Sequence, residues 1–331
     1  MYQLNLKPAA GRECRIEGMK MNLYFAGLDP KTLNLIQDRH VPIKPLNVLV
    51  SMADMTPTLH GQLRSGRETG LIGKLALDSG TFTLNKPNSK LDAQHFFNRF
   101  KEYATAHPRM YDLIFNFDRW FTPDAFEENY SYASQLGKCG IPVIPVAHDV
   151  LHGDYNQLAE RGHEAIAFGQ DKNRNVGTLL HANYELIQQG VNIRHGLGIL
   201  DPKTLMFVPF TSVDASTAKQ DGVSRKVHYI DATKPKGQQW RLLNVKGPKG
   251  KTTPAAFKEQ KNALMAWLES IDANILWGDL TGKNGRNFCT IVNILFYQTV
   301  EPVIEANNKI VSHYLETGDV LNEANKKDSI W

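Results

Sequence analysis

The sequence predicts an α/β protein built as a (β/α)8 TIM-like barrel with a C-terminal helical appendage. Eight short apolar runs recur between residues 22 and 213, with the lengths of buried parallel strands. Segments with helical periodicity lie between them. Polar residues follow most of the runs, as they do where barrel strands end at a ligand site. A doubly wound open sheet has a similar alternation, so the periodicity leaves both architectures open.

The predicted strands are too short to be typical helices. They cover residues 22–26, 47–52, 74–77, 112–117, 142–147, 164–168, 193–199 and 209–213. Three of the intervening segments repeat apolar residues at i, i+3, i+4 and i+7, which is the pattern of an amphipathic helix. These predicted helices are 91–106, 122–137 and 176–189. Thr122 and Pro123 suit the start of the second helix, and Gly190 suits the end of the third.

Changes in composition divide the chain into four regions. Residues 1–20 are polar and aperiodic and form an N-terminal extension, and residues 21–218 form the barrel. Residues 219–252 are rich in Lys and Arg with interleaved Gly and Pro, and residues 253–331 form helices packed on the barrel. Two interpretations of the basic arm stay open: a solvated loop, or an arm that binds phosphates.

The composition is that of a globular protein, with 42% hydrophobic and 22% charged residues among 331. No apolar run approaches the roughly 18 residues that span a bilayer, and no signal-peptide pattern is present, so we expect a cytoplasmic protein without membrane contact. Cys14, Cys139 and Cys289 lie far apart without zinc-site spacing. We therefore expect no metal and no cofactor. The net charge of +4 is weak support for a polyanionic partner.

Three acidic residues, Asp78, Asp118 and Asp214, each end an apolar run. A carboxylate at the end of a buried strand is costly unless it is paired or used. Each one alone could accept hydrogen bonds from the turn that follows its strand. Because barrel strands end at one face, we expect the three to meet there. The other candidate binding residues near strand ends are Ser79, Phe82, His148, Phe168, Gly169, His195, Gly196 and Gly198.

The Asp-Ser-Gly at residues 78–80, followed by Phe82, resembles the corresponding segment of the tRNA-guanine transglycosylase superfamily, whose members are (β/α)8 barrels. The resemblance covers roughly residues 74–217. It includes Asp118 before a Thr-Pro helix start, and a Gly-x-Gly strand before Asp214. Ala167-Phe168-Gly169 is a looser match to a strand end whose backbone hydrogen-bonds the base in the family.

This resemblance implies a role for each matched residue. Asp214 would be the nucleophile and Asp78 would act at the base nitrogen, while Asp118 would recognise the base and Phe82 would stack on it. The chain departs from the tRNA enzymes because it lacks their Cys-x-Cys-x-x-Cys zinc cluster. The Ser-Val-Asp-Ala-Ser-Thr at residues 212–217 is closer to the phage and bacterial DNA-modifying branch.

The expected function is therefore exchange of guanine in DNA for a 7-deazaguanine (preQ0-type) base, in the cytoplasm of a bacterial cell or a phage-infected host. The same exchange on tRNA is the first alternative. A barrel that only binds nucleic acid, and a retaining sugar hydrolase that uses Asp78 and Asp214, are the others.

Cations are needed near the cavity if the partner is a nucleic acid. Four are expected in loops at the same end of the barrel as the acids: Arg64, Arg67, Lys172 and Arg174. The basic arm contributes four more candidates: Arg225, Lys226, Lys234 and Lys236. The alternative for each is an ordinary surface charge.

Overall fold

The computed structural model describes residues 21–86, 92–248, 250 and 252–317, so the predicted extension 1–20 lies outside the described residues. Nine strands form one parallel sheet: β1 (Asn22–Ala26), β2 (Leu46–Ser51), β3 (Ile72–Asp78), β4 (Leu113–Phe115), β5 (Val143–Ile144), β6 (Val146–Ala147), β7 (Ala165–Phe168), β8 (Ile193–Gly196) and β9 (Ser212–Ala215). Their spatial order is β5-β4-β3-β2-β1-β9-β8-β7-β6.

The sheet closes into a barrel at the segment that holds β5 and β6. Pro145 separates the two, because proline has no N–H to donate to a strand ladder. β5 pairs with β4 and β6 pairs with β7, so this one segment joins both ends of the sheet. Counted together, β5 and β6 make the fifth of eight strands. The predicted (β/α)8 barrel is confirmed, and the open doubly wound sheet is excluded.

Every predicted strand position contains a strand, and the bounds of β1 are those predicted, while the other strands begin or end at different residues. The eighth shows the largest difference, since it was predicted over 209–213 and is observed as Ser212–Ala215. Pro209 cannot donate to the ladder, and Phe210 packs instead into the layer between barrel and helices. The seventh ends at Gly196 rather than at residue 199.

Twelve α-helices are present in the described residues: α1 (Pro30–Asp38), α2 (Pro57–Glu68), α3 (Thr81–Leu84), α4 (Ala93–Ala106), α5 (Phe126–Lys138), α6 (Asp154–Glu160), α7 (Val176–Gln188), α8 (Pro202–Phe207), α9 (Thr217–Val223), α10 (Pro254–Ser270), α11 (Trp277–Thr281) and α12 (Gly285–Thr317). Four of them start with proline after an Asp or Thr whose side chain caps the helix. The predicted helix 122–137 begins as a 3-10 turn, and α5 proper starts at Phe126. None of the helices described is long and apolar enough to cross a bilayer.

The long helix α12 packs on the outside of the barrel against α1, α8 and α9. Near its start, the amide of Asn287 donates to Asp29 Oδ1 (3.2 Å) and Thr32 Oγ1 (2.9 Å), just after β1. Further along, Gln298 Nε2 donates to the carbonyl of Lys44 (3.0 Å), just before β2. The helix therefore runs antiparallel to the strands, as the other barrel helices do.

Residues 219–252, predicted as a basic arm, contain regular structure. β10 (Lys226–Ile230) and β11 (Trp240–Asn244) form an antiparallel hairpin, and β10 packs on α12. Val227 and Tyr229 are buried while their neighbours are partly exposed. This period-two alternation is the sequence signal of the strand.

Candidate active site

The carboxyl-terminal ends of the strands open into a cavity of about 670 Å³. Strand side chains alternate in direction, so every second residue faces the barrel interior. Leu49 and Ala76 belong to the interior cluster, and the residues two positions later, Ser51 and Asp78, border the cavity. Asp214 borders it from β9. The pleat and the strand ends together bring Asp78 and Asp214 to one cavity.

The Asp214 carboxylate is held by one of its two oxygens. Oδ1 lies 3.1 Å from His195 Nε2 and accepts a hydrogen bond from the backbone N–H of Gly198, also at 3.1 Å. His195 is fully buried, and its Nδ1 lies 2.8 Å from Ser212 Oγ. Oδ2 has no hydrogen-bond partner in the described part of the chain. The arrangement orients the carboxylate and leaves Oδ2 for a substrate atom.

The environment of Asp78 favours the protonated form of its carboxyl. Burial raises the pKa of its carboxyl to about 7, and the neighbouring charges of Asp214 and Asp118 add to the increase. Hydrogen bonds from the Gly80 N–H (3.0 Å, to Oδ2) and from Ser51 oppose the increase. A carboxyl with this pKa can both give and take a proton at pH 7.

Asp118 lies behind His148 and does not border the cavity, so of the three acids expected to meet here only Asp78 and Asp214 line it, although the charge of Asp118 still acts on Asp78. Its Oδ2 is 3.3 Å from His148 Nε2, and its Oδ1 accepts from Asn116 Nδ2 (3.1 Å). Burial raises the pKa of the Asp118 carboxyl. The contacts with His148 and Asn116 lower this pKa, but they do not cancel the increase. Burial is the largest single influence on the pKa of His148 and lowers it, but Asp118, the Gln170 carbonyl and Asp154 together raise this pKa above its usual value.

His148 itself does border the cavity. Its Nδ1 lies 3.2 Å from the carbonyl of Gln170, and a carbonyl only accepts, so Nδ1 carries a proton. A Cβ at Gly169 would lie 2.3 Å from His148 Cε1, so the imidazole occupies the space that any larger residue would need. The Phe121 ring contacts the same imidazole, with centroids 5.0 Å apart and ring planes tilted by 34°.

The other predicted binding residues divide into three groups, of which Phe168 and Gly196 form the third. Phe82, Gly169 and Gly198 border the cavity, and Phe82 is 60% exposed at its edge. Ser79 is buried beside Thr81, and His195 lies beneath Asp214, so neither lines the cavity wall. Ser79 and His195 instead contact residues that line the cavity, namely Thr81 and Asp214.

The Phe168 side chain faces away from the cavity, and so would a Cβ at Gly196, so a contact from either residue to a ligand would have to come from its backbone. Ala167 belongs to the interior cluster, so the next residue, Phe168, points outward. Its ring packs against Phe210 and Tyr155 in the layer below the helices. A Cβ at Gly196 would lie 2.9 Å from Ile199 Cδ1, so this glycine serves close packing.

The prediction that Arg64 and Arg67 lie in loops at the cavity end was wrong, since both lie in α2. Arg67 pairs with Asp112 (2.5 Å), which precedes β4 at the opposite end of the barrel, and Arg64 pairs with Glu68. Lys172 is exposed in the loop after β7.

Arg174 is part of the cavity wall. Its Nη1 donates to the carbonyls of Gly169 (2.7 Å) and Leu197 (2.8 Å), which joins the loops after β7 and β8. Burial lowers the pKa of its guanidinium, and the charges of Asp214 and Asp171 raise it. Arg174 therefore places a fixed positive charge near the Asp214 carboxylate.

The candidates in the basic hairpin have different surroundings. Arg225 donates to the carbonyls of Leu280 and Gly282, the latter from Nη2 at 3.2 Å. Lys226 Nζ lies 3.9 Å from Asp221 Oδ1. Lys234 and Lys236 lie in the connection between β10 and β11.

Further residues that border the cavity were not predicted from the sequence, among them Ser51, Asp54, Phe121 and Gln220. Ser51 lies at the end of the second predicted strand, so the strand-end rule applied to that strand would have found it. Among the described residues, no group of three or more His, Cys, Asp or Glu could hold a metal ion.

No protein-family model matches this chain, and no curated protein matches it. One solved structure, described as "Native KDPGal structure", is similar with a TM-score of 0.31 and 10% sequence identity. The similarity covers 76% of this chain and 95% of that chain.

Proposed function

We propose that the protein is a pentosyltransferase that exchanges guanine in DNA for a 7-deazaguanine base of the preQ0 type. One observation carries the proposal: two aspartates border a single cavity in contrasting environments. Asp214 is oriented through Oδ1 by His195 and Gly198, while the pKa of Asp78 is raised to about 7. A nucleophilic carboxylate and a second carboxyl that exchanges protons are what retaining cleavage of a glycosidic bond needs.

In the proposed first half-reaction, Asp214 Oδ2 attacks C1′ of the target nucleotide. The bond from C1′ to the base nitrogen breaks, and its electron pair stays with the leaving guanine. Protonated Asp78 donates its proton to the departing base, and the sugar is left as an ester of Asp214. In the second half-reaction, Asp78 takes a proton from the incoming base, which attacks C1′ and releases Asp214.

The cavity suits a flipped purine nucleotide. Its volume of about 670 Å³ is in the range of small-molecule sites, and Phe82 offers an exposed ring at its edge for stacking. His148, backed by Asp118, can meet polar atoms on the edge of the base. DNA is chosen over tRNA because of the Ser-Val-Asp-Ala-Ser-Thr around Asp214.

The test is base exchange by the purified protein. Guanine-containing duplex DNA, single-stranded DNA and unmodified tRNA are each incubated with preQ0, digested and examined by nucleoside mass spectrometry. The proposal expects a 7-deazaguanine deoxynucleoside in DNA together with release of an equal amount of guanine. Modified nucleoside in tRNA alone would reject DNA as the substrate, and its absence from all three would reject the exchange reaction.

A further inference from the structure

A cation and an aromatic ring are stacked on each other in the loop between β4 and α5. The guanidinium carbon of Arg119 lies 3.8 Å from the centroid of the Trp120 ring. The Trp120 side chain nevertheless remains 44% exposed. Exposed aromatic rings are the surfaces on which unpaired bases stack in proteins that bind single strands.

Two asparagines hold this loop in place. The buried Asn129 on α5 donates from Nδ2 to the Trp120 carbonyl (2.7 Å) and accepts at Oδ1 from the Trp120 N–H (3.3 Å). Asn85 donates from Nδ2 to the Arg119 carbonyl (2.8 Å), and its Oδ1 accepts from the Arg119 guanidinium. Both residues of the stacked pair are thus fixed before any ligand binds, which lowers the entropic cost of binding.

The Arg119–Trp120 pair is connected to the cavity wall in two ways, through the next residue in the chain and through Asn85. Phe121, the next residue in the chain, borders the cavity. Asn85 directly follows α3, and Phe82 of that helix and Lys86 also border it. Lys86 Nζ lies 5.6 Å from the centroid of the Phe82 ring, so the rim carries a second pair of a cation and an aromatic ring.

We propose that Arg119 and Trp120 form a stacking site for the nucleotide next to the one whose base enters the cavity. The planar faces suit an unpaired base, and the positive charge suits its phosphate. The site continues directly from the cavity, so one strand can occupy both. The inference rests on the proposed function only in taking the cavity ligand to be part of a nucleic acid strand.

The test measures affinity without requiring base exchange. Fluorescence anisotropy gives the dissociation constant of a short fluorescein-labelled single-stranded DNA for the wild type and for Trp120→Ala, Trp120→Phe and Phe207→Ala. Phe207 is the matched control, because it is equally exposed (44%) at the end of α8 and does not border the cavity. A second DNA carries abasic sites on both sides of the central guanine, so that phosphates are kept and flanking bases are lost.

The expected result is that Trp120→Ala weakens binding of the normal strand by about fivefold or more, while Trp120→Phe and Phe207→Ala stay within about twofold of the wild type. On the abasic strand, the wild type and Trp120→Ala should bind equally. Equal affinity of Trp120→Ala and wild type for the normal strand, or no binding of that strand by the wild type, would overturn the site. A Trp120-dependent affinity without detectable base exchange would reject the proposed function and keep the stacking site.

Discussion

His195 Nε2 lies 3.1 Å from Asp214 Oδ1, and the imidazole is completely buried beneath the carboxylate. The second contact to Oδ1, from the Gly198 N–H, comes from a glycine with φ of +66° just beyond the end of β8. Both contacts are donated to the oxygen, so an amide oxygen in the same place could accept them as well. The carboxylate can therefore be neutralised with little change in geometry.

We predict that Asp214→Asn abolishes base exchange, by at least about a thousandfold, because an amide cannot act as the attacking anion. The fold and the affinity for DNA should be retained. The measurement is the covalent adduct between protein and labelled DNA on a denaturing gel, with guanine release followed in parallel. Asp201→Asn is the control, since Asp201 caps α8 by accepting from the Thr204 N–H and does not border the cavity. An adduct formed by Asp214→Asn would remove Asp214 from the nucleophilic role.

The barrel could be predicted from the sequence because its strands are separate apolar runs, and the rule that ligand sites lie at strand ends led to Asp78 and Asp214. The direction in which each side chain points could not be predicted from the sequence. Strands of a parallel sheet are apolar on both faces, so the sequence of β7 does not show that Ala167 faces inward and Phe168 outward. The position of Asp118 behind His148 depends on how chain segments far apart in the sequence pack together.

The raised pKa of Asp78 predicts a specific pH dependence. As the general acid of the first half-reaction, Asp78 must be protonated, so guanine release should be fast below about pH 7 and should fall above it. Asp78→Asn should slow release by roughly 10²- to 10⁴-fold and abolish this fall. Single-turnover release of labelled guanine between about pH 6 and pH 8 is the measurement. A wild-type rate that stays constant across this range would contradict the role of Asp78.

The same pKa predicts how stability depends on pH. The folded protein binds the Asp78 proton more tightly than the unfolded chain, whose ordinary value is 3.8. The resulting stabilisation is complete at low pH and is lost as the pH rises through about 7. Asp78→Asn has no such titration, so its melting temperature should rise relative to the wild type between about pH 4 and pH 7. A constant difference in melting temperature over that range would show that the carboxyl titrates normally.

We predict that Gly80 tolerates substitution less well than Gly70, because only at Gly80 would a Cβ meet neighbouring atoms. Its φ is +85°, and a Cβ there would lie 2.8 Å from both Ala53 N and Ser51 Oγ. Gly70 has a similar φ of +76° but no atom within 4 Å of such a Cβ. Gly70→Ala should cost about 1–2 kcal/mol from backbone strain alone. Gly80→Ala should cost more and should also slow base exchange, because it displaces the Ser51 and Gly80 donors from Asp78.

Urea denaturation of both glycine variants, with exchange rates measured in the same buffer, checks this comparison. Gly70→Ala should keep the wild-type exchange rate, since Gly70 precedes β3 at the far end of the barrel from the cavity. Equal free energies of unfolding for the two variants would show that the contacts around Gly80 can relax.

The last prediction separates the two kinds of cation in the basic hairpin. Arg225 and Lys226 already have partners within the fold, in the Leu280 and Gly282 carbonyls and in Asp221. Arg225→Ala should therefore lower the free energy of unfolding, because the Leu280 and Gly282 carbonyls lose the guanidinium that donates to both of them. Lys234→Ala changes a residue in the connection between β10 and β11 and should leave stability close to that of the wild type.

If the hairpin binds phosphates, Lys234→Ala should reduce the slope of log K against log salt for duplex DNA by up to about 0.9, since each neutralised phosphate contributes about that much. It should weaken all DNA sequences equally, because phosphate contacts position the protein without specifying a base. The control is Lys138→Ala, which removes an exposed lysine on α5. An unchanged slope in Lys234→Ala would show that Lys234 does not contact a phosphate, and that the hairpin serves the fold through β10 and Arg225.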